Sequence, residues 1–382
     1  MKLLNFKDLR ITDCHIHYAH PSLKGQLLDI CEQLGINRLN IVCTPDMNRL
    51  SLIPDALHLK SQAAEKTFVF GGLDVSVYFR EPERVGKEFA ESIDGLIEMG
   101  CDGIKMIEGK PGMRKMLPVP AFNSDVFAPY WEKMVEKQMP LVFHVNDPQE
   151  FWDEQKIPNW GKEQGWFYGD GSFIHYEEQY AEILDVLKNY PNLKVILAHF
   201  FFMSGQLERL GEILDEYPNV AVDLTPGIEM YFNFSKNLMK SRDFFIRYQD
   251  RILFGTDIGA KALLVKPEEG IQFDESRGRV EVVRSFLELE KEFELPETGF
   301  LFSGEGARLH GIGLENDVLE KIYEENFKRM VGEKPQVLNY EAIIAYCERL
   351  ERMIAIMGSA QHGMPGDPSV ARMVKTYFES RL

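Results

Sequence analysis

At 382 residues and 45% hydrophobic content, the chain has the composition of an ordinary globular protein with at least one large core. Its 60 acidic residues outnumber 43 basic ones for a formal net charge of −17, and no basic block interleaved with aromatics occurs, which argues against a nucleic-acid binder. No apolar run approaches the ~18–20 residues of a membrane helix.

Met1-Lys2-Leu3-Leu4-Asn5 lacks the apolar stretch of a signal peptide. The five cysteines (Cys14, Cys31, Cys43, Cys101, Cys347) show neither CxxC pairs nor a disulfide framework. The expectation is a soluble cytoplasmic protein with reduced thiols.

Eight short apolar runs alternate with longer helix-like segments, the pattern of a parallel α/β fold. The predicted strands are Arg10–His15, Arg38–Thr44, Thr67–Val75, Asp102–Ile107, Pro140–Val145, Lys194–His199, Val220–Leu224 and Arg251–Thr256. Most are nearly continuous in apolar residues, as strands covered on both faces should be. Between them Tyr180, Ile183, Leu184 and Leu187 follow a helical period, as do Leu207, Leu210, Leu214 and Tyr217. Gly35, Gly100, Pro191 and Pro218 supply helix stops. Eight such units predict a (β/α)8 TIM barrel, whose usual size is roughly 250 residues. An open doubly wound sheet is the alternative, but the first strand–helix turn has no GxGxxG loop.

Beyond the eighth strand, an amphipathic helix at Arg277–Phe293 is expected to complete the barrel. A Gly-rich connector (Gly299 to Gly313) leads to a helix at Glu315–Val331, and Lys334-Pro335 then breaks the chain. In Asn339–Met357 the stripe Ile343, Cys347, Leu350, Ile354, Met357 is predicted to pack on the barrel, with a homodimer contact as the alternative. The organisation expected is a barrel over residues 1–331, with an aromatic cap loop at 146–175, and a helical extension over 332–382.

The first strand ends in Asp13-Cys14-His15-Ile16-His17. Residues two apart on a strand point to the same side, so His15 and His17 can converge on one cation. His144, His199 and Asp257 stand at the same place in later units, and barrel active sites sit at the C-terminal ends of the strands. His15, His17, His144 and Asp257 suit Zn2+, whose catalytic sites keep one position open for water. Any one of these histidines alone is more often a satisfied structural residue. That account has to be repeated independently at one structural position, which makes it poor for the set. Asp13 is expected to buttress the strand end or orient a ligand.

His199 either ligates a second metal or stays free as an acid–base group, with Asp257 as a further proton acceptor. Lys105, ending the fourth strand, can bridge two metals when carboxylated, bind a substrate oxyanion as a cation, or pair with a neighbouring carboxylate. One Zn2+ is the first expectation; a second ion, or Mn2+ or Fe2+, is the alternative.

The loop from Asn146 to His175 holds Trp152, Trp160 and Trp166 with Phe151, Phe167, Tyr168 and Phe173. It reads as a cap that excludes water and shapes a pocket, against the alternative of a packed excursion or oligomer contact. Lys110, Arg114 and Lys115 form a basic turn near the mouth that can hold a carboxylate, although a solvated turn is the commoner meaning. Arg114, Trp152, Trp166, Tyr168 and His175 are the candidate substrate contacts. His20, His58, His310 and His362 fall in structural contexts.

With these residues placed, the chain resembles the amidohydrolase superfamily. It is most similar to the amidohydrolase-2 branch of metal-dependent hydrolases and non-oxidative decarboxylases, which includes aminocarboxymuconate-semialdehyde decarboxylase. The likeness runs from His15 and His17 to Arg251-Ile252-Leu253-Phe254-Gly255-Thr256-Asp257. Lys321-Ile322-Tyr323-Glu324-Glu325-Asn326-Phe327 is similar to the helix that follows the barrel in that branch. The resemblance implies metal ligands at His15, His17, His144 and Asp257, with His199 as catalytic base or acid. The activity it implies is hydrolysis of an ester, lactone or amide in a small anionic substrate. Decarboxylation of an aromatic or unsaturated acid is the alternative, and a non-catalytic ligand-binding barrel the third.

Overall fold

The computed structural model describes residues 6–46, 48–227, 229–264, 270–294, 308–359 and 366–382. Eight parallel strands lie side by side in chain order: β1 (Thr12–Ile16), β2 (Arg38–Val42), β3 (Thr67–Gly72), β4 (Gly103–Gly109), β5 (Leu141–Val145), β6 (Val195–Leu197), β7 (Val220–Asp223) and β8 (Ile252–Leu253). The chain after β8 returns to β1. Cys14 N donates to Phe254 O (2.9 Å), Asp257 N to His15 O (2.9 Å) and His17 N to Ile258 O (2.8 Å). The sheet is thereby a TIM barrel, as the eight apolar runs predict.

The last strand is shorter than its apolar run. Beyond Leu253 the chain leaves the β7 ladder, and Phe254 N donates to Ile322 O (2.9 Å) instead.

Helices cover the outside, among them α1 (Lys24–Gln33), α2 (Ile53–Gln62), α3 (Val85–Met99), α4 (Ala128–Lys137), α5 (Tyr176–Asn189), α6 (Leu207–Glu216), α7 (Leu238–Arg247) and α8 (Phe273–Glu288). Their apolar stripes are buried against the strands; Ile183, Leu187, Leu210 and Leu214 all belong to this layer. Gly100 ends α3 at φ 95°, a left-handed conformation that glycine takes without a steric penalty. α8 stops before the predicted Phe293, because Glu292–Glu294 pairs antiparallel with Arg308–His310. Most of the Gly299–Gly313 connector lies outside the described residues.

Inside the barrel, Cys14, Val42, Phe68, Phe70, Val142 and Ile196 form a closed apolar layer with Phe327 and Met330 beneath. Room for the Phe70 ring exists only because residue 103 is glycine: a Cβ there would lie 2.5 Å from the ring. The floor comes from Asn316–Glu320, a π turn at Lys321–Glu325 and Asn326–Met330. Phe327 meets Phe68 edge to face at 4.9 Å. Asn326 Nδ2 lies 2.7 Å from the carbonyls of both Gln249 and Ile252.

Two further helices, α9 (Tyr340–Ser359) and α10 (Ser369–Glu379), follow. Ile343, Cys347, Leu350 and Ile354 of the predicted stripe are buried; the Met357 side chain lies outside the described residues. Tyr377 packs on His58 (4.5 Å between rings) and Tyr346 Oη reaches Ser51 Oγ (2.9 Å), tying both helices to α2 and the loop before it. Among the described residues, no helix is long and apolar enough to cross a membrane.

Candidate metal centre

The extended backbone of β1 carries His15 and His17 to one side, and the turn after β8 brings Asp257 against them. Asp257 sits at φ 63°, a left-handed conformation that aspartate tolerates better than bulkier residues. One ligand atom from each of these three buried residues lies within 4.8 Å of the others. His17 Nε2 is 3.1 Å, and His15 Nε2 3.8 Å, from Asp257 Oδ1. Two imidazole nitrogens and a carboxylate oxygen form a donor set that suits a divalent transition metal.

The surroundings favour ligation. His15 Nδ1 donates to Asp223 Oδ2 at 2.9 Å, which sets the tautomer and turns Nε2 toward Asp257. Burial, with the Lys105 ammonium alongside, holds the His15 pKa well below its usual value, so the ring is neutral and Nε2 carries the lone pair, which here faces Lys105 Nζ. Burial would raise Asp257, but the His17 hydrogen bond and charge, together with Arg279, more than offset it and keep it ionised. Arg279 Nη1 stands 3.4 Å from Asp257 Oδ2. Asp13 accepts from His15 N, Thr256 N and the Thr256 hydroxyl, locking β1 to the segment that delivers Asp257.

Lys105 points into the same place, its Nζ 3.1 Å from His15 Nε2. Burial lowers its pKa to about 8, opposed by the carboxylates of Asp223 and Asp257. An amine so placed reaches its neutral form far more readily than a surface lysine.

His199 opens a left-handed turn in which four consecutive non-glycine residues have positive φ: His199 54°, Phe200 55°, Phe201 57° and Phe202 52°. Each such residue costs about 1–2 kcal/mol, so the turn persists only because its surroundings hold it. Phe200 is packed among Phe234, Phe244 and Phe245. Tyr180 Oη donates to Phe201 O (3.0 Å), His199 N donates to Asp223 Oδ1 (2.8 Å), and Phe202 stacks on the His199 ring at 5.1 Å. The turn presents the imidazole 5.7 Å from that of His15 and 4.8 Å from that of His144, centre to centre. His199 Nδ1 faces Thr225 O at 3.3 Å, leaving Nε2 for proton transfer. Burial, reinforced by His144, keeps it neutral.

His144 neighbours this group but is not one of the three residues whose ligand atoms converge. Its Nε2 donates to Asn146 O (2.9 Å) and lies 3.4 Å from Asp147 Oδ1. Asp147 gathers a network of its own, accepting from Lys110 Nζ (2.7 Å) and from Tyr168 Oη. Burial opposes ionisation of Asp147, yet the Lys110 and His144 contacts prevail and depress its pKa.

The other candidate substrate contacts also have protein partners. Arg114 pairs with Glu182 (2.7 Å), and Lys115 bonds Ser172 Oγ (2.6 Å) and lies over the Phe173 ring. Trp152 Nε1 donates to Ile174 O (3.3 Å), Trp166 lies under Lys110 Nζ, and His175 caps α5 through the Glu177 amide (3.3 Å). Within the 146–175 loop, Phe151, Ile157 and Tyr168 form a small apolar core, with Trp152, Trp160, Trp166, Phe167 and Phe173 packed around it.

Sequence reasoning passed over two residues of the centre. Asp223 ends β7, the position its counterparts hold in other strands, and that placement was the available signal. Arg279 lies on α8 and is almost wholly buried, with its Nε on Glu275; nothing in its local sequence marks it.

Comparison with known proteins agrees with this architecture. The amidohydrolase family model (Amidohydro_2) matches residues 79–332, a span that begins after His15 and His17. No curated protein matches the sequence. The chain is similar in fold to 4-oxalomesaconate hydratase LigJ from Rhodopseudomonas palustris, at 12% identity and a TM-score of 0.51, covering 90% of this chain and 99% of that one. An amidohydrolase-like protein from Staphylococcus aureus gives 14% identity and a TM-score of 0.50, covering 85% and 100%. A 2,6-dihydroxybenzoate decarboxylase gives 12% identity and a TM-score of 0.49, covering 85% and 99%. The first two of these likenesses speak to the fold alone; the match of the family model over most of the chain shows that this protein belongs to the amidohydrolase family, whose enzymes are metal-dependent.

Proposed function

We propose that the protein is a metal-dependent hydrolase that attacks the carbonyl carbon of a small ester, lactone or amide with water and breaks its acyl C–O or C–N bond. The observation that carries this reading is the convergence of His15, His17 and Asp257, with Asp223 fixing the His15 tautomer. Zinc is the cation proposed, one per chain, since neutral imidazoles and a carboxylate are its common ligands. When bound, it supplies Lewis-acid polarisation and a more acidic water at neutral pH.

The chain's own residues supply the rest. His199, neutral and with Nε2 free, accepts a proton from the attacking water and returns it to the leaving group. Lys105, held beside His15, stabilises negative charge that develops on the carbonyl oxygen. The aromatic core of the 146–175 loop gives that segment the rigidity to exclude water from the mouth. His144, whose Nε2 faces its own loop, joins the ligand set only after its ring reorients.

A lyase reading, decarboxylation of an aromatic acid, draws on Phe202, whose ring lies nearly parallel to His199 (25°) and offers a face for a flat substrate. The cations that pointed to an anionic substrate, in the hydrolytic as in the lyase reading, are engaged by Asp147, Glu182 and Ser172.

The test is elemental analysis of purified protein beside an ester, lactone and amide panel and a CO2-release assay on hydroxybenzoates. About one divalent ion per chain, hydrolysis abolished by chelator, and both lost in His17→Ala are expected. Metal content unchanged in His17→Ala, or CO2 release without hydrolysis, overturns the proposal.

A further inference from the structure

The loop after β7 carries an acidic group that the metal centre does not use. Glu229 is partly exposed as a residue, yet both its carboxylate oxygens are buried and neither reaches a donor on another residue. The carboxylate folds back over Gly227, where a Cβ would lie 3.1 Å from Oε2. Its own backbone amide is the donor it meets; leaving a buried carboxylate so poorly paired is costly, and native proteins seldom do so away from a functional site. Burial, with Glu150 and Asp147 nearby, pushes its pKa up to about 8.

Glu229 also forms part of the wall of a cavity of about 340 Å3 that Glu150, Phe202, Ser204 and Asn233 help to line. Phe202 is the link to the chemistry, since its other neighbours are the rings of His199 (5.1 Å) and His144 (5.4 Å). Two lysines border the cavity, but Lys236 Nζ is on Asn233 Oδ1 (2.7 Å) and Lys240 Nζ on Glu208 (2.9 Å). Glu150 and Glu229 are the acidic residues of this lining, and with both lysines engaged they set its local sign once Glu229 is ionised.

We propose that Glu229 is the anionic anchor of a substrate pocket beside the metal centre, and that it binds a protonated amino group on the substrate. A turn about its side-chain bonds presents the carboxylate to the cavity, where an ammonium provides the missing partner. Binding then drives ionisation of the acid, so uptake of an amine releases a proton. The assignment rests on the catalytic reading only in calling the amine part of a substrate; amine binding itself reads out separately.

The test uses the full-length protein with n-propylamine, n-butylamine and n-pentylamine as probes, and the matching carboxylates as controls, followed by thermal shift and calorimetry. Homoserine lactone and γ-butyrolactone, which differ by one amino group, report on turnover. Amines are expected to stabilise the wild type and carboxylates not to. Glu229→Gln should weaken amine binding at least tenfold, about what loss of a charge-assisted contact removes. Glu229→Leu should abolish binding while keeping or raising the melting temperature, because it removes an unpaired buried acid; it guards against a Gln variant that folds poorly. Equal amine binding in wild type and variants, no amine binding to the wild type, or preferential binding of the carboxylates overturns the proposal. Hydrolysis of both lactones with equal kcat/KM defeats the substrate assignment but leaves the metal reading intact. Amine binding without hydrolysis of either lactone keeps the anchor and defeats the assignment of the amine to a lactone substrate.

Discussion

At the lower end of the barrel, Phe68, Phe327 and Met330 fill the interior, and Asp102 and Asn326 are paired there, although the hydroxyls of Thr12 and Thr67 are not. Asp102 accepts from Lys60 Nζ (2.6 Å), Val69 N (2.7 Å) and Gln336 N (2.7 Å), and Asn326 bridges two carbonyls. At the upper end the same strands finish in four residues of left-handed backbone, a left-handed Asn146 and Asp257, and buried polar atoms without partners on His17, Thr225 and Glu229. The lower end has the largely satisfied, close-packed character that stabilises a fold. The upper end carries strain and unspent polarity, the pattern of a site arranged for a ligand rather than for stability. At His199 the strained turn survives because Phe200 is fixed in the aromatic layer formed with Phe234 and Phe245.

The contrast can be broken by substitutions at either end. The largest effect on metal binding is expected from Asp223→Asn, which removes the carboxylate that His15 Nδ1 and two backbone amides share. Loss of such a ligand-orienting partner should cost roughly 10–100-fold in metal affinity or activity, with little change in melting temperature. Metal titration of the apo-protein with a thermal melt in parallel decides it; a large fall in stability with metal affinity intact would place Asp223 with the structural residues.

The largest effect on stability is expected from Phe327→Ala, which opens a hole at the floor and should lower unfolding free energy by about 3–5 kcal/mol, read from denaturant midpoints. Metal content is expected to stay at the wild-type level. If it falls instead, the two ends are coupled and the contrast drawn here fails.

A pH-dependent effect concerns Asp55, in the first turn of α2. Arg49 holds one of its oxygens (2.8 Å) and the other lacks a partner. Burial raises its pKa from 3.8 to about 7 against the opposing charge of Arg49. Between those values the folded protein keeps a proton that the unfolded chain releases, so this group makes stability fall as pH rises through that window. Asp55→Asn is neutral throughout and should flatten that part of the stability profile, measured as melting temperature from about pH 4 to about pH 7. An unchanged slope would mean that Asp55 is solvated or paired in solution.

Much of this molecule can be read from the order of its residues. The eight strands were legible because a strand covered on both faces announces itself as a local apolar run, and the barrel because eight such runs alternate with helices. The joint placement of His15 and His17 was legible too, since a two-residue step on an extended backbone is local geometry. The limits of the last strand and of α8 were not, because each is set by a distant partner: Ile322 in one case and the strand at Arg308–His310 in the other.

The same division runs through the candidate site. Which residue types stand at the strand ends was a property of the chain itself. Which of their atoms face each other was decided only on folding: Asp223 meets His15 across 208 positions, and His144 turns its Nε2 toward the loop that follows it. Lys110, Arg114 and Lys115 could be seen as cations, but their engagement by Asp147, Glu182 and Ser172 depends on segments up to 68 residues away. Periodicity reports how a short segment buries its own surface. Charge pairing, tautomer and backbone strain depend on whatever other segments the closed barrel sets opposite, and only the tertiary structure specifies those.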